Sequence, residues 1–202
     1  MSKIYSQITL YKEEEGKKVC RKDLINPEFE CEIEINGKKF VDEVKLGTSN
    51  YITYIFKKKY TDLSFLFSGC KLLKTINLEQ FDSDGVSCIS YMFYCCTSLN
   101  SVNLSTFDTS NVKYMSGVFQ GCSSIERINL DHFDTSKTEY MDEMFSGCTS
   151  LKTLYLSNFN CDKISCDEFM KDMFIYCKRL KKENVEQNDS KIENQLNIDL
   201  IE

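Results

Sequence analysis

Apolar positions in the middle of the chain recur with a long period. Phe67 and Cys70, Phe93 and Cys96, Phe119 and Cys122, Phe145 and Cys148, and Phe174 and Cys177 form five equivalent pairs, with the cysteines 26, 26, 26 and 29 residues apart. An apolar pattern follows each of the first four cysteines: Leu73/Ile76/Leu78, Leu99/Val102/Leu104, Ile125/Ile128/Leu130 and Leu151/Leu154/Leu156. The fifth keeps only Leu180. A second phenylalanine column, Phe81, Phe107, Phe133 and Phe159, lies three residues beyond each pattern, and Leu63, Ile89, Met115, Met141 and Met170 precede the first column by four.

One unit of this length cannot bury its own apolar groups, but stacked units cover each other, so the period predicts a solenoid. Its alternating stretch reads as a short strand, and successive strands should lie side by side about 4.8 Å apart in a parallel sheet. Apolar spacings of three and four in Asn111 to Cys122, at Val112, Met115, Val118 and Phe119, predict short helical turns on the outer side. The expected fold class is therefore α/β, a short horseshoe with a parallel sheet and outer helical turns.

The corner between strand and outer segment is Phe-Asp-Thr-Ser at 107–110 and 133–136, with relatives at Phe81 to Asp84 and at Phe159-Asn160. Asp, Thr and Ser bond nearby backbone amides in turns, which makes them corner residues. The alternative is a carboxylate column at Asp82, Asp108 and Asp134 that holds calcium, although the glycine-rich nonapeptide of calcium-binding solenoids is absent.

Residues 1–50 lack the repeat and read as a β-rich N-terminal cap, with a separate ligand-binding module as the other reading. Lys3 to Tyr11 alternates. Cys31 to Ile35 runs through Asn36-Gly37 into Lys38 to Val44, a strong hairpin signal. Ile52 to Phe56 reads as an atypical first strand of the stack, so the solenoid is expected over 51–180 as four full repeats with partial end rungs. Residues 181–202 are rich in polar side chains and read as a solvated tail or a polar cap, with enough apolar residues for one docked helix or strand.

The motif F-x-G-C-x-x-L-x-x-L-x-L-x-x-F-D-T-S-x-V-x-x-M-x-x-M-F resembles the 26-residue repeat of bacterial surface proteins, also met in protists, of the BspA-like leucine-rich-repeat family. The resemblance covers roughly Leu63 to Leu180. It implies a leucine-rich-repeat fold used in adhesion or protein binding, with no catalytic residues to carry over. This sequence departs from that family in lacking a surface-directing leader, and its last repeat is three residues longer, with Cys161, Cys166 and Asp167 in the insertion.

Composition narrows the chemistry. A net charge of −6 removes the electrostatic footprint of a nucleic-acid binder. No apolar run approaches the roughly 20 residues of a membrane span, and the absent leader predicts a cytoplasmic location. Eleven cysteines, an odd number, exclude a complete disulfide framework and point to buried free thiols. A single histidine, His132, reads as a surface residue and leaves no His-paired triad without a neighbouring nucleophile; C-x-x-C and phosphate-loop motifs are absent. The reading is a protein without cofactor or metal that is not an enzyme and binds a protein partner.

The side chains between the buried strand positions should form the binding face. Candidates are Thr75, Asn77, Ser101, Asn103, Arg127, Asn129, Asp131, Thr153 and Tyr155, with Arg127 and Tyr155 the residue types that most often anchor interfaces. The column Asn77, Asn103 and Asn129 is open to a second reading, a hydrogen-bonded structural ladder. Surface adhesion or weak self-association through this face or the stack ends is the alternative function.

Overall fold

A computed structural model describes residues 4–10, 18–20, 25–35, 38–39, 43–45, 51–56 and 58–200. The strands are β1 (Ile4–Leu10), β2 (Lys18–Cys20), β3 (Cys31–Ile35), β4 (Lys38–Lys39), β5 (Glu43–Lys45), β6 (Tyr51–Phe56), β7 (Leu73–Asn77), β8 (Ser101–Asn103), β9 (Arg127–Asn129), β10 (Thr153–Leu156) and β11 (Val185–Gln187); one helix, α1 (Ser190–Asp199), follows. Strands β7 and β8 pair in parallel with Ile76 opposite Val102, and β9, β10 and β11 pair in parallel with Leu154 between Ile128 and Val185. Ile76, Ile128 and Leu154 are buried, while the residues on either side of them reach outward, the alternation expected of a half-buried sheet.

Each repeat places its first-column phenylalanine against the next. Phe67, Phe93, Phe119, Phe145 and Phe174 are fully buried, and neighbouring rings stack with centroids 5.5–5.9 Å apart and planes within 16° of parallel. Burying one such ring is worth about 1.5–3 kcal/mol, and the column repeats that gain at every rung.

The outer segments differ from expectation. They are runs of β-turns, and only Asp167–Met170 in the longer last repeat forms a short 3-10 turn. In the first run the N–H groups of Leu63, Phe65, Phe67 and Gly69 donate to the carbonyls of Cys88, Ser90, Met92 and Tyr94 one repeat on, while those of Leu66, Ser68 and Cys70 donate back three residues to Leu63, Phe65 and Phe67. The same alternation recurs from Ile89, Met115 and Met141. A continuous helix is prevented by left-handed backbone at every fourth residue: Phe65 and Gly69, Tyr91 and Cys95, Gly117 and Gly121, Glu143 and Gly147, Asp172 and Tyr176 all have positive φ. That four-residue turn period imitates helical spacing in the sequence. Each non-glycine residue there carries about 1–2 kcal/mol of strain, which the inter-repeat hydrogen bonds hold in place.

The corners form as the sequence indicates. Asp108 and Asp134 each accept the amide of the residue two positions on, Ser110 and Ser136, at 2.9 Å. Their carboxyls titrate below the ordinary range: Ser110 acts on Asp108 through its amide and hydroxyl, and Ser136 on Asp134 through its hydroxyl and amide. Thr109 and Thr135, both buried, tie one corner to the next, since Thr135 Oγ1 accepts the Asn160 amide at 2.7 Å and donates to the Asn160 carbonyl at 3.0 Å.

At the N-terminal end, Ile52–Phe56 is not the first parallel strand. β6 lies antiparallel between β3 and β1, and β1 is the strand that meets β7, also antiparallel. An antiparallel strand brought in from the chain's start needs no further repeat beneath it. Tyr54 and Phe56 of β6 are buried and set their rings edge-on to Phe67 and Phe81. β3 and β4 pair antiparallel with Ile35 opposite Lys38; the Asn36-Gly37 turn, like most of Lys3–Tyr11's flanks and residues 46–50, lies outside the described residues.

The polar C-terminal segment forms the last strand and the only α-helix among the described residues. Asp189 caps α1 by accepting the amides of Lys191 and Ile192, and Ile192 and Leu196 are buried against the final rung. No helix among the described residues is long and apolar enough to cross a membrane.

Candidate functional site

The sheet face is assembled from strands of only three to five residues, so its position is fixed by the inward residues Ile76, Ile128 and Leu154, with Val102 only partly buried in their row. Thr75 stands opposite Ser101 and Asn77 opposite Asn103. Thr153 stands opposite Arg127 and Tyr155 opposite Asn129. All nine predicted residues therefore lie on these four strands or directly after them, but in two groups.

The division falls between β8 and β9. Leu78 donates its amide to the Asn103 carbonyl across β7 and β8, and Leu130 donates to Tyr155 across β9 and β10, each bond 2.9–3.0 Å long; among the described residues no ladder joins β8 to β9. The same two rungs stay paired on their turn side, where Cys88 bridges Tyr114. On the sheet side they part around a depression of about 640 Å³ lined by Asn100 to Ser105, Arg127, Asn129, Asp131 and His132. Val102 is accordingly only partly buried, whereas its counterparts Ile76, Ile128 and Leu154 are within the core.

The depression collects Ser101, Asn103, Arg127, Asn129 and Asp131 of the predicted set and leaves Thr75 and Asn77 on one flank, Thr153 and Tyr155 on the other. The asparagines prove to be local. Asn77, Asn103 and Asn129 each accept the amide of the residue two positions on, Glu79, Ser105 and Asp131, at 2.9–3.1 Å. They fix the strand exits rather than bond to one another as a ladder. Asp131 is also partly committed, since its carboxylate accepts the Ser157 amide at 2.8 Å and its carbonyl accepts from the Asn158 side chain. Arg127 is exposed and forms no ion pair among the described residues.

Sequence reasoning placed Ser105 on the face beside Ser101 and Asn103 and passed over His132 and Asn100 as site residues. His132 sits at the rim with its ring edge-on to Phe133 at 4.9 Å. Its corner position was visible in the sequence, but nothing there marked the parting that makes it line a depression.

The repeat cysteines lie deep in the core and point to packing. The thiols of Cys96, Cys122, Cys148 and Cys177 donate to the carbonyls of Phe67, Phe93, Phe119 and Phe145 at 3.0–3.2 Å. Burial pushes the Cys96 and Cys177 thiols up to about 12 and those of Cys122 and Cys148 well above their ordinary value. Unfolded thiols ionise near about 8.5, so the unfolded chain loses these protons first. The stabilisation is complete below that pH and declines as pH rises toward about 12. The urea midpoint is expected to fall between pH 9 and pH 11, with a thiol-disulfide reagent at pH 8 labelling Cys166, which is exposed, long before the core thiols; rapid labelling of all of them in the native protein would contradict this placement.

No curated protein and no solved structure shows significant similarity to the chain. One family model, described as Mycoplasma protein of unknown function, DUF285, matches residues 61–194. The match begins with the first turn run and ends inside α1, so it takes in every repeat together with the strand and the first half of the helix that close the stack. With more than half of its length inside that match, the chain belongs to the DUF285 family.

Proposed function

We propose that the stacked rungs are a short leucine-rich-repeat solenoid of the BspA-like kind, and that the protein is a non-catalytic scaffold that binds another protein through its sheet face. The observation that carries this reading is the parting of β8 from β9, which sets unpaired strand edges and the free guanidinium of Arg127 around one depression. A guanidinium with no ion pair among the described residues and a half-buried tyrosine on the same face are the side chains that anchor protein interfaces. Ten described cysteines are free thiols, which fits a reducing compartment such as the cytoplasm.

The test is affinity capture from the source cell with wild type beside Arg127→Ala/Tyr155→Ala. Both residues lie off the core, so the variant should keep its melting temperature. A partner held by wild type and weakened about tenfold or more in the variant is the expected result. Equal retention by both proteins would remove the sheet face as the binding surface.

A further inference from the structure

The turn runs make a second hydrogen-bonded face, separate from strands β7 to β10, and it carries aromatic rings that the core does not need. Phe65 and Tyr94 are 43% and 37% exposed. Phe65 stacks on Tyr91 with centroids 5.1 Å apart and planes 11° from parallel, and Tyr94 stands edge-on to Tyr91 at 5.9 Å. The three rings form two walls at nearly right angles.

The backbone does not ask for rings there. Phe65 and Tyr91 hold φ of 60° and 57° at the repeat position that Gly117 occupies in the next rung with φ 59°. Glycine takes this conformation without strain, whereas an aromatic residue must be held in it. Strained, half-exposed rings where a neighbouring repeat uses glycine run against local backbone preference, and such outliers point to a use.

The charge beside them is of one sign. Tyr91 lies over Gly117, where a β-carbon would meet its ring at 2.2 Å. Gly117 donates its amide to the Asp142 carbonyl at 2.9 Å, the Asp142 carboxylate accepts the Ser116 hydroxyl at 2.5 Å, and Glu143 accepts the Gln120 amide at 2.8 Å. Each carboxylate is thus fixed by one donor and retains acceptor capacity. Within runs 62–70, 88–96, 114–122, 140–148 and 169–177 the charged residues are Asp62, Asp142, Glu143 and Asp172 against Lys171 alone, and Lys171 is bonded to Glu168 at 3.3 Å. Aromatic faces carry negative quadrupole potential and carboxylates carry full negative charge, so both components select a cation.

We propose that this turn face is a second binding surface, on which the rings of Phe65, Tyr91 and Tyr94 and the carboxylates of Asp142 and Glu143 receive an arginine- or lysine-bearing segment of a partner protein. It is independent of the sheet face. The experiment titrates the full chain into a fluorescein-labelled peptide of alternating arginine and serine at physiological ionic strength, read by anisotropy, beside the same peptide with glutamine for arginine and a competing maltohexaose. Wild type should bind the arginine peptide saturably, and Phe65→Gly/Tyr94→Ser should weaken it about tenfold or more while keeping the circular dichroism spectrum. Tyr94→Ser alone, at an exposed ring, gives the same direction should the double variant fold poorly. Glu143→Gln should weaken binding severalfold, and Arg127→Ala/Tyr155→Ala should leave it unchanged, which separates this surface from the sheet face. The proposal is overturned if the glutamine peptide binds equally well, if maltohexaose displaces the peptide as a specific ligand, or if Tyr94→Ser and Glu143→Gln both bind as wild type does.

Discussion

Phe119→Ala is expected to destabilise the protein by about 3–5 kcal/mol, the usual loss when a buried phenylalanine is cut back to alanine. Phe119 is completely buried and its ring lies between those of Phe93, 5.5 Å away, and Phe145, 5.9 Å away. Removing it leaves a cavity with a ring on each side and no side chain able to close it, because both neighbours are themselves held by the next rungs. Repeat stability is a sum of each unit and its two interfaces, so a central vacancy weakens both halves of the stack at once. Against a typical total of about 5–15 kcal/mol, this takes much of the available stability. Urea unfolding followed by circular dichroism measures it, and a loss of under about 1 kcal/mol would show that the column is not a continuous core.

Deleting residues 181–202 should be comparably severe. Ile192 and Leu196 are buried against the last rung, and two such side chains contribute about 3–6 kcal/mol. The polar residues matter as much, because they satisfy backbone groups that have no following repeat to meet. Asp189 accepts the Cys161 amide at 2.9 Å, Lys191 donates to the carbonyls of Cys161 and Ile164, and Asp199 accepts the Phe174 amide at 2.8 Å. Truncation strips those partners, exposes the edge of β10 and opens the core. The shortened chain is expected to aggregate or to lose its cooperative transition in size-exclusion and thermal-melt experiments. A truncated monomer that melts close to the full-length protein would show that the segment is dispensable.

That segment also shows what a sequence leaves open. Its crowding of Asp, Glu, Lys and Asn fits a solvated tail and a polar cap alike, and a stack end needs polar side chains for its open amides and carbonyls. The roles of Asp189 and Lys191 depend on which backbone groups lie above them, and those come from residues some thirty positions earlier. By contrast, the columns of Phe119, Cys122 and Ile128 were legible because each recurs at the same place in every repeat and each is buried for the same reason. The corner at Asp108 and Thr109 was legible from side-chain chemistry.

The outer runs misled because Val112, Met115 and Phe119 fit a helical stripe as well as a chain of four-residue turns. Only Gly69, Gly117, Gly121 and Gly147 marked the left-handed positions, and Phe65, Tyr91, Cys95, Glu143, Asp172 and Tyr176 hid the others. The candidate face was readable as a set of alternating positions, but its grouping was not. Its centre depends on β8 and β9 failing to pair, and the only local sign is that Val102 is smaller than Ile76, Ile128 or Leu154.

The parting between those two strands has a mechanical consequence. The rungs on either side of it are tied through the Cys88–Tyr114 bridge and the turn runs, by Ser124 to Thr97 before the strands and by Thr109 to Asp134 after them, with no ladder between the strands themselves. A joint laced all round a gap holds firmly where it is tied and least across the unlaced strands. The block built on β1 to β8 and the block built on β9 to α1 therefore meet at a seam whose weakest stretch is Asn100 to Ser105. The spacing of the rungs is thus least constrained at that one seam, between Asn100 to Ser105 on one side and Arg127 to His132 on the other.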